Sequence, residues 1–385
     1  MTTSAPRALA PDLARGAMLL AIAFAHAPLY VLAIDHGPLA ANRIALAFHD
    51  LFVGNHARPM FAFLFGYALV QMLERRTSRG DDPADVRAML RRRGLWLIVF
   101  GTAHLLLVPI DILAAYGVAS LVLVGLLRVR DRTLLWGGAL TLIPGTLLSG
   151  LPLLLALPQG LTTFDIGALT LPAGGDTGSL YLERLPGAPI GTFVGTVLVT
   201  PGVIAGMWAA RHGLLEAPER HRAFLIRAVV ATMVISCLGA LPSVLAQTSL
   251  WQPSTTAALW TAAMLQPLTG YFGGFGMAGA IALIALRAAR TRGPLTTAVV
   301  ALGQRSMTFY LFQSVAFMAV FAPIALGLHD RVGLSGALVV AALVWLVSLG
   351  AAELMRRRGL RGPAESLLRR LVSGGTTRSK APAST

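Results

Sequence analysis

The sequence predicts an all-α fold, a polytopic membrane bundle of about ten transmembrane helices with both termini in the cytoplasm, and three observations predict it. Hydrophobic residues make up 55% of the 385 residues and charged residues 13%, about half the charged share of a soluble domain. Mean hydropathy is +0.69, and several apolar runs reach about 20 residues, the length a helix needs to cross a bilayer. The arginines fall in short clusters between those runs. A net charge of +15 therefore does not point to nucleic acid, since no aromatic residues interleave with the basic ones as on a base-stacking surface.

The apolar runs lie at about 13–34, 57–74, 92–110, 111–127, 133–157, 190–210, 223–246, 265–288, 295–321 and 333–355. With the termini inside, 27 of the 32 basic residues fall in cytoplasmic segments. Arg43, Arg58, Arg184 and Arg331 fall outside, and Arg305 lies within the ninth run. Every loop then obeys the positive-inside rule. Residues 1–372 read as one integral membrane domain and 373–385 as a disordered tail. The connection 158–189 is rich in Gly, Pro and Thr, and reads as a surface loop or a lid. Pro109 ends the third run, and GPAESLLRRLV near the C-terminus reads as an amphipathic helix on the inner surface, with Pro363 near its start. Cys237 is the only cysteine, so no intrachain disulfide forms. The first run lacks a small-residue cleavage site and is expected to be retained.

That first run, LARGAMLLAIAFAHAPLYVLAI, holds the most informative pair. Arg15 and His26 are eleven residues apart, close to three helical turns, so both project from one face about 16 Å apart. Arg15 sits where it can reach headgroups or a cytosolic ligand. His26 lies deep in the run, where a polar side chain needs a partner or a task.

Other polar groups gather toward the outer half: His49, Asp50, His56 and Arg58 before the second run, His104 midway down the third, Asp111 at the outer turn, and Gln266, Tyr310, Gln313 and Ser314 in later runs. Each has a plainer reading. A membrane histidine often only ties two helices together, Asp111 fits the cap of the helix that begins there, and Arg58 can snorkel to headgroups. His49, Asp50 and His56 match no standard metal spacing, so no metal is expected. Residues 274–279 match G-x-G-x-x-G by letter, but no strand precedes them. Close helix packing explains them and the G-x-x-x-G pairs Gly202/Gly206 and Gly270/Gly274 better.

Five segments resemble the YeiB-type bacterial membrane proteins, whose C-terminal region is the domain of unknown function 418: LARGAMLLAIAFAH, RPMFAFLFGYAL from Arg58, DILAAYG from Asp111, GQRSMTFYLFQS from Gly303 and GPAESLLRR from Gly362. The family region covers about 222–372. This family in turn distantly resembles transmembrane acyltransferases, among them acyltransferase family 3 and the heparan acetyltransferases. That link rests on the Arg15/His26 spacing and on FAFLFGY at 61–67 followed by an arginine-rich loop.

The resemblance implies an acyltransferase of the bacterial cytoplasmic membrane that uses acyl-CoA as donor. Arg15, with Arg76 and Arg79 of the basic loop, would hold the donor phosphates. His26 would act as general base on a hydroxyl or amine acceptor arriving from outside, with His104 oriented by Asp111 assisting, and Arg58 and Gln313 would contact the acceptor. The competing reading is a transporter without covalent chemistry, against which stands the lack of an inverted repeat or paired broken helices. A homo-oligomer is compatible with the chain.

Overall fold

A computed structural model describes residues 9–108, 111–168, 182 and 184–373. Pro109, much of the 158–189 connection and the 374–385 tail lie outside the described residues. Among the described residues every regular element is helical. The elements are α1 (Leu9–His26), α2 (Leu39–Phe52), α3 (Ala57–Thr77), α4 (Pro83–His104), α5 (Leu113–Leu123), α6 (Asp131–Ala156), α7 (Thr163–Ala168), α8 (Ala188–Arg211), α9 (Arg222–Gln247), α10 (Thr256–Thr291), α11 (Pro294–Gly303), α12 (Ser306–Phe321), α13 (Leu334–Arg357) and α14 (Pro363–Ser373).

Six helices are long and apolar enough to cross a membrane: α1 with its continuation to Tyr30, α6 with its continuation to Gln159, α8, α9, α10 and α13. The other expected runs take different forms. α3 and α4 have the length, but arginines enter both. α5 is short, and the run at 295–321 is two helices rather than one, broken at Gln304 and Arg305. Arg305 is therefore not buried mid-helix in lipid. It donates to the Ala301 and Leu360 carbonyls and closes the break.

Burial is inverted relative to a soluble protein at the periphery. α6 exposes Leu140, Ile143, Leu147 and Leu151, and α9 exposes Val230, Val234, Leu238 and Leu241. Such apolar faces suit lipid rather than water. α1 is the central helix: 56% of its most apolar window is buried, against 22% in α9, and it touches α3, α10, α11, α12 and α13. Small residues permit these crossings. A Cβ on Gly66 would strike the Val203 backbone, and one on Gly206 the Phe63 carbonyl, so α3 and α8 meet backbone to backbone. A Cβ on Gly274 would come within 2.7 Å of the His56 carbonyl. The glycines of the G-x-G-x-x-G stretch are thus packing residues of α10.

Two ends can be distinguished. The basic end carries the α3–α4 turn, the α8–α9 turn and α14. Here Asp82 caps α4 by accepting from the Ala84 amide, with Pro83 at the first helical position. α14 begins at Pro363, as expected, and buries Leu368 against the bundle. The opposite end carries α2 and the helix ends at His26 and His104. α2 lies in a segment with no predicted span. Its Asp50 accepts from Ser243 and Gln247 of α9, each at 2.7 Å, and its Asn42 accepts from Ser335 at the start of α13.

Candidate functional site

Both histidines expected midway along their spans instead terminate their helices. His26 is the last residue of α1 and His104 the last of α4. α1 and α4 both run from the basic end to the other, so the two rings arrive at one level. They meet on Tyr310 of α12, whose ring centroid lies 5.7 Å from His26 and 4.9 Å from His104. The His26 Nδ1 has no hydrogen-bond partner among the described residues.

His104 is clamped on both sides. Its Nδ1 lies 2.8 Å from Asp111 Oδ1, and its Nε2 lies 2.8 Å from Ser314 Oγ. With Asp111 as the acceptor, Nδ1 is the donor, and Nε2 in that tautomer accepts from the serine hydroxyl. The other Asp111 oxygen accepts from the Ala114 amide at 2.8 Å. Asp111 thus caps α5 and holds His104 at once, and the two sequence readings of it coexist. All three side chains are buried.

At the basic end a basin of about 1000 Å3 opens between α1, α3, α4, α12 and α14. Arg15, Arg75, Arg76, Arg92, Arg93 and Arg369 line it, with Asp81, Asp82, Asp85 and Glu365 also on its walls. Arg15 sits 3.4 Å from Asp12, whose other oxygen accepts from Gln304. Arg93 lies over the Phe65 ring, 5.9 Å from its centroid. The basin narrows into a passage of about 90 Å3 that shares Arg15, Ala68, Arg93, Ser306 and Met307 with it. Phe61, Phe65, Leu97 and Leu113 make the passage apolar, and Tyr116 and Tyr310 stand at its far end.

The remaining expected site residues fall in different places. Arg76 lines the basin, whereas Arg79 is exposed in the turn after α3 and does not line it; Arg75, in the last turn of α3, does. Gln313 faces α1 rather than the passage, donating to the Leu19 carbonyl at 3.1 Å, with its Oε1 buried and without a hydrogen-bond partner among the described residues. Arg58 is held by Asn55 and Ser149 at 2.6 and 2.8 Å. It stands behind Tyr116, whose hydroxyl donates to the Arg58 carbonyl. Nor do His49, Asp50 and His56 converge on a metal site; among the described residues no cluster of potential ligands does. His56 instead bonds Ser236 at 2.6 Å. Sequence reasoning passed over Arg93 and gave no role to Ser314.

Residues 209–375 match the model described as a protein of unknown function, DUF418. Residues 209–375 belong to the DUF418 family. That span holds α9 to α14, and so the Tyr310, Gln313 and Ser314 wall of the site. A relative extends the similarity beyond the DUF418 region. An uncharacterized protein, YxaH, of Bacillus subtilis strain 168 is 25% identical over 343 residues, covering 80% of this chain and 77% of its own.

Proposed function

We propose that the chain is a membrane-embedded acyltransferase that moves an acyl group from a cytosolic acyl-CoA to a hydroxyl or amine acceptor on the outer side of the bacterial cytoplasmic membrane. In this reading ten segments cross the bilayer, six of them the long apolar helices, and both termini and the basin are cytoplasmic. One observation carries the proposal: an arginine-lined basin narrows into an apolar passage that ends at the tyrosine on which both histidines pack.

The donor divides chemically as the cavity does. Its phosphates suit Arg15, Arg75, Arg76, Arg92 and Arg93, because guanidinium groups pair with phosphate oxygens in charge-assisted bonds. The thioester end of the uncharged arm suits the passage, whose volume holds about six to nine water-sized groups. Phe61 and Phe65 exclude water there, which protects a thioester from hydrolysis. At the far end His26, with its Nδ1 unpartnered, takes the proton of the acceptor. Asp111 holds His104 in the tautomer that can accept a second proton.

The test is direct. Purified protein in lipid nanodiscs is given labelled acetyl-CoA, and thioester cleavage and acyl transfer are followed. Acyl transfer that is lost in His26→Ala supports the reading. If no labelled donor is cleaved while reconstituted vesicles accumulate a small solute, the transporter reading replaces it.

A further inference from the structure

The acyltransferase reading leaves Ser314 without a task, yet its surroundings are those of an activated nucleophile. Its Oγ lies 2.8 Å from His104 Nε2, and the far nitrogen of that ring lies 2.8 Å from the Asp111 carboxylate. A serine, a histidine and a carboxylate in this order form the arrangement that raises the nucleophilicity of a hydroxyl in unrelated hydrolases and transferases. The orientation is also the productive one. Asp111 accepts from Nδ1, so Nε2 is left to receive the serine proton. An ordinary membrane serine satisfies itself on the carbonyl one turn back in its own helix. Ser314 turns instead to a histidine 210 residues away.

Its position relative to the cavity fits as well. Ser314 follows Tyr310 by one turn of α12, so the two side chains share a helix face. Tyr310 stands at the end of the apolar passage and its ring lies against His104. Ser314 itself is fully buried, one turn further along the same helix. For a thioester carbonyl to reach the hydroxyl from the passage, the Tyr310 ring would have to move aside.

We propose that Ser314 is the covalent acyl carrier of this site, so that transfer proceeds in two half-reactions through an acyl-serine. The proposal rests on the acyltransferase reading. In the first half-reaction Ser314 Oγ bonds to the thioester carbonyl carbon and the carbon–sulfur bond breaks. The hydroxyl proton passes to His104 Nε2 and then to the departing sulfur, releasing free CoA thiol. In the second, the acceptor hydroxyl or amine bonds to the same carbon and the Oγ–carbon bond breaks. The acceptor proton is taken by His26 and handed on, through His104 Nε2, to Ser314 Oγ. No electron is gained or lost overall, and the serine is regenerated.

Two probes on the full chain in nanodiscs separate the possible failures: a fluorophosphonate, which marks activated serines whatever the natural acyl group, and radiolabelled acetyl-CoA without acceptor. The expected result is fluorophosphonate and acetyl label on the Ser314 peptide, absent in Ser314→Ala. His104→Ala should label at least about 100-fold more slowly. Ser314→Cys should carry the acetyl group as a hydroxylamine-labile thioester, a behaviour that a mere helix–helix clamp does not produce, and it guards against an alanine variant that fails to fold. Label on Ser314 from the fluorophosphonate, with acetyl-CoA left intact, supports the nucleophile and removes acetyl-CoA as donor. Acetyl transfer at the wild-type rate in Ser314→Ala, or acetyl label on another residue, overturns the proposal while the acyltransferase reading stands. Neither label in folded protein overturns the proposal and the acyltransferase reading together.

Discussion

Glu365 holds the first turn of the helix that carries Tyr310, Gln313 and Ser314: its carboxylate accepts from the Met307 and Thr308 amides at 2.8 and 3.2 Å and from the Thr308 hydroxyl. The Thr308 hydroxyl in turn accepts from the Ala364 amide. These bonds join the GPAESLLRR and GQRSMTFYLFQS motifs, and they place α14 as a wall of the basin. A carboxylate at a helix N-terminus also meets the positive end of the helix dipole.

Glu365→Ala should therefore loosen α14 from the bundle. Loss of several charge-assisted bonds is expected to cost about 1.5–3 kcal/mol, read as a lowered Tm in detergent. Glu365→Gln, which keeps an acceptor without the charge, should cost less. Trypsin should cut after Arg369 faster in the alanine variant than in the parent. An unchanged Tm together with an unchanged digest would mean that Leu368 alone docks the helix.

The His104–Asp111 contact predicts non-additive kinetics. His104→Ala and Asp111→Asn should each lower acyl transfer by about 100-fold or more, and the double variant should be no slower than the worse single. Removing one member of a buried pair is costly, about 3–5 kcal/mol, so folded protein is quantified first by size exclusion. A double variant equal to the product of the singles would mean that the two residues act independently and that Asp111 only caps α5.

Some of this site was legible in the sequence and some was not, for physical reasons. A histidine in an apolar run has a large desolvation cost, so His26 and His104 stand out. Arg15 stands out through its spacing from His26. A serine in a membrane helix has little cost, because its own helix supplies an acceptor, so Ser314 gave no signal above background. Arg93 was hidden among the seven arginines between 75 and 93. α2 was missed because Asn42, Arg43, His49 and Asp50 break the apolar pattern of a span, and its packing against α9 is a tertiary fact. The break in the ninth run was visible as Gly303, Gln304 and Arg305 in succession, a cluster that an uninterrupted span would not carry. The meeting of α1 and α4 on Tyr310 depends on helix packing and could not be read from either helix alone.

The basin makes a prediction about the donor. Arg15→Ala and Arg93→Ala should each raise the KM for acyl-CoA by about 10- to 100-fold, the effect of one lost charge-assisted phosphate bond. Higher salt should raise the parent KM, because exposed guanidinium–phosphate attraction is screened. Arg79→Ala should leave KM unchanged, since that side chain lies off the basin. His26→Ala should lower kcat with KM little affected. A large KM effect from Arg79 with none from Arg93 would place the phosphates on the rim and leave the passage unused.

Topology decides whether the basin can meet a cytosolic donor at all. Ser78 is exposed in the turn after α3 at the basic end, and Ser254 is exposed between α9 and α10 at the other. Single cysteines at these positions are introduced with Cys237, the native thiol, replaced by serine. Intact cells are treated with an impermeant maleimide, and then opened and treated again. The positive-inside distribution of arginines predicts labelling at 254 in intact cells and at 78 only after opening. Position 78 samples the basin directly, because Arg75 and Arg76 lie within one turn of it. The two positions also control for each other, since poor reactivity and a closed membrane give different patterns. Labelling at 78 alone in intact cells would turn the basin outward, away from acyl-CoA. The arginines would then face an external anion, and the acyltransferase reading would lose its donor.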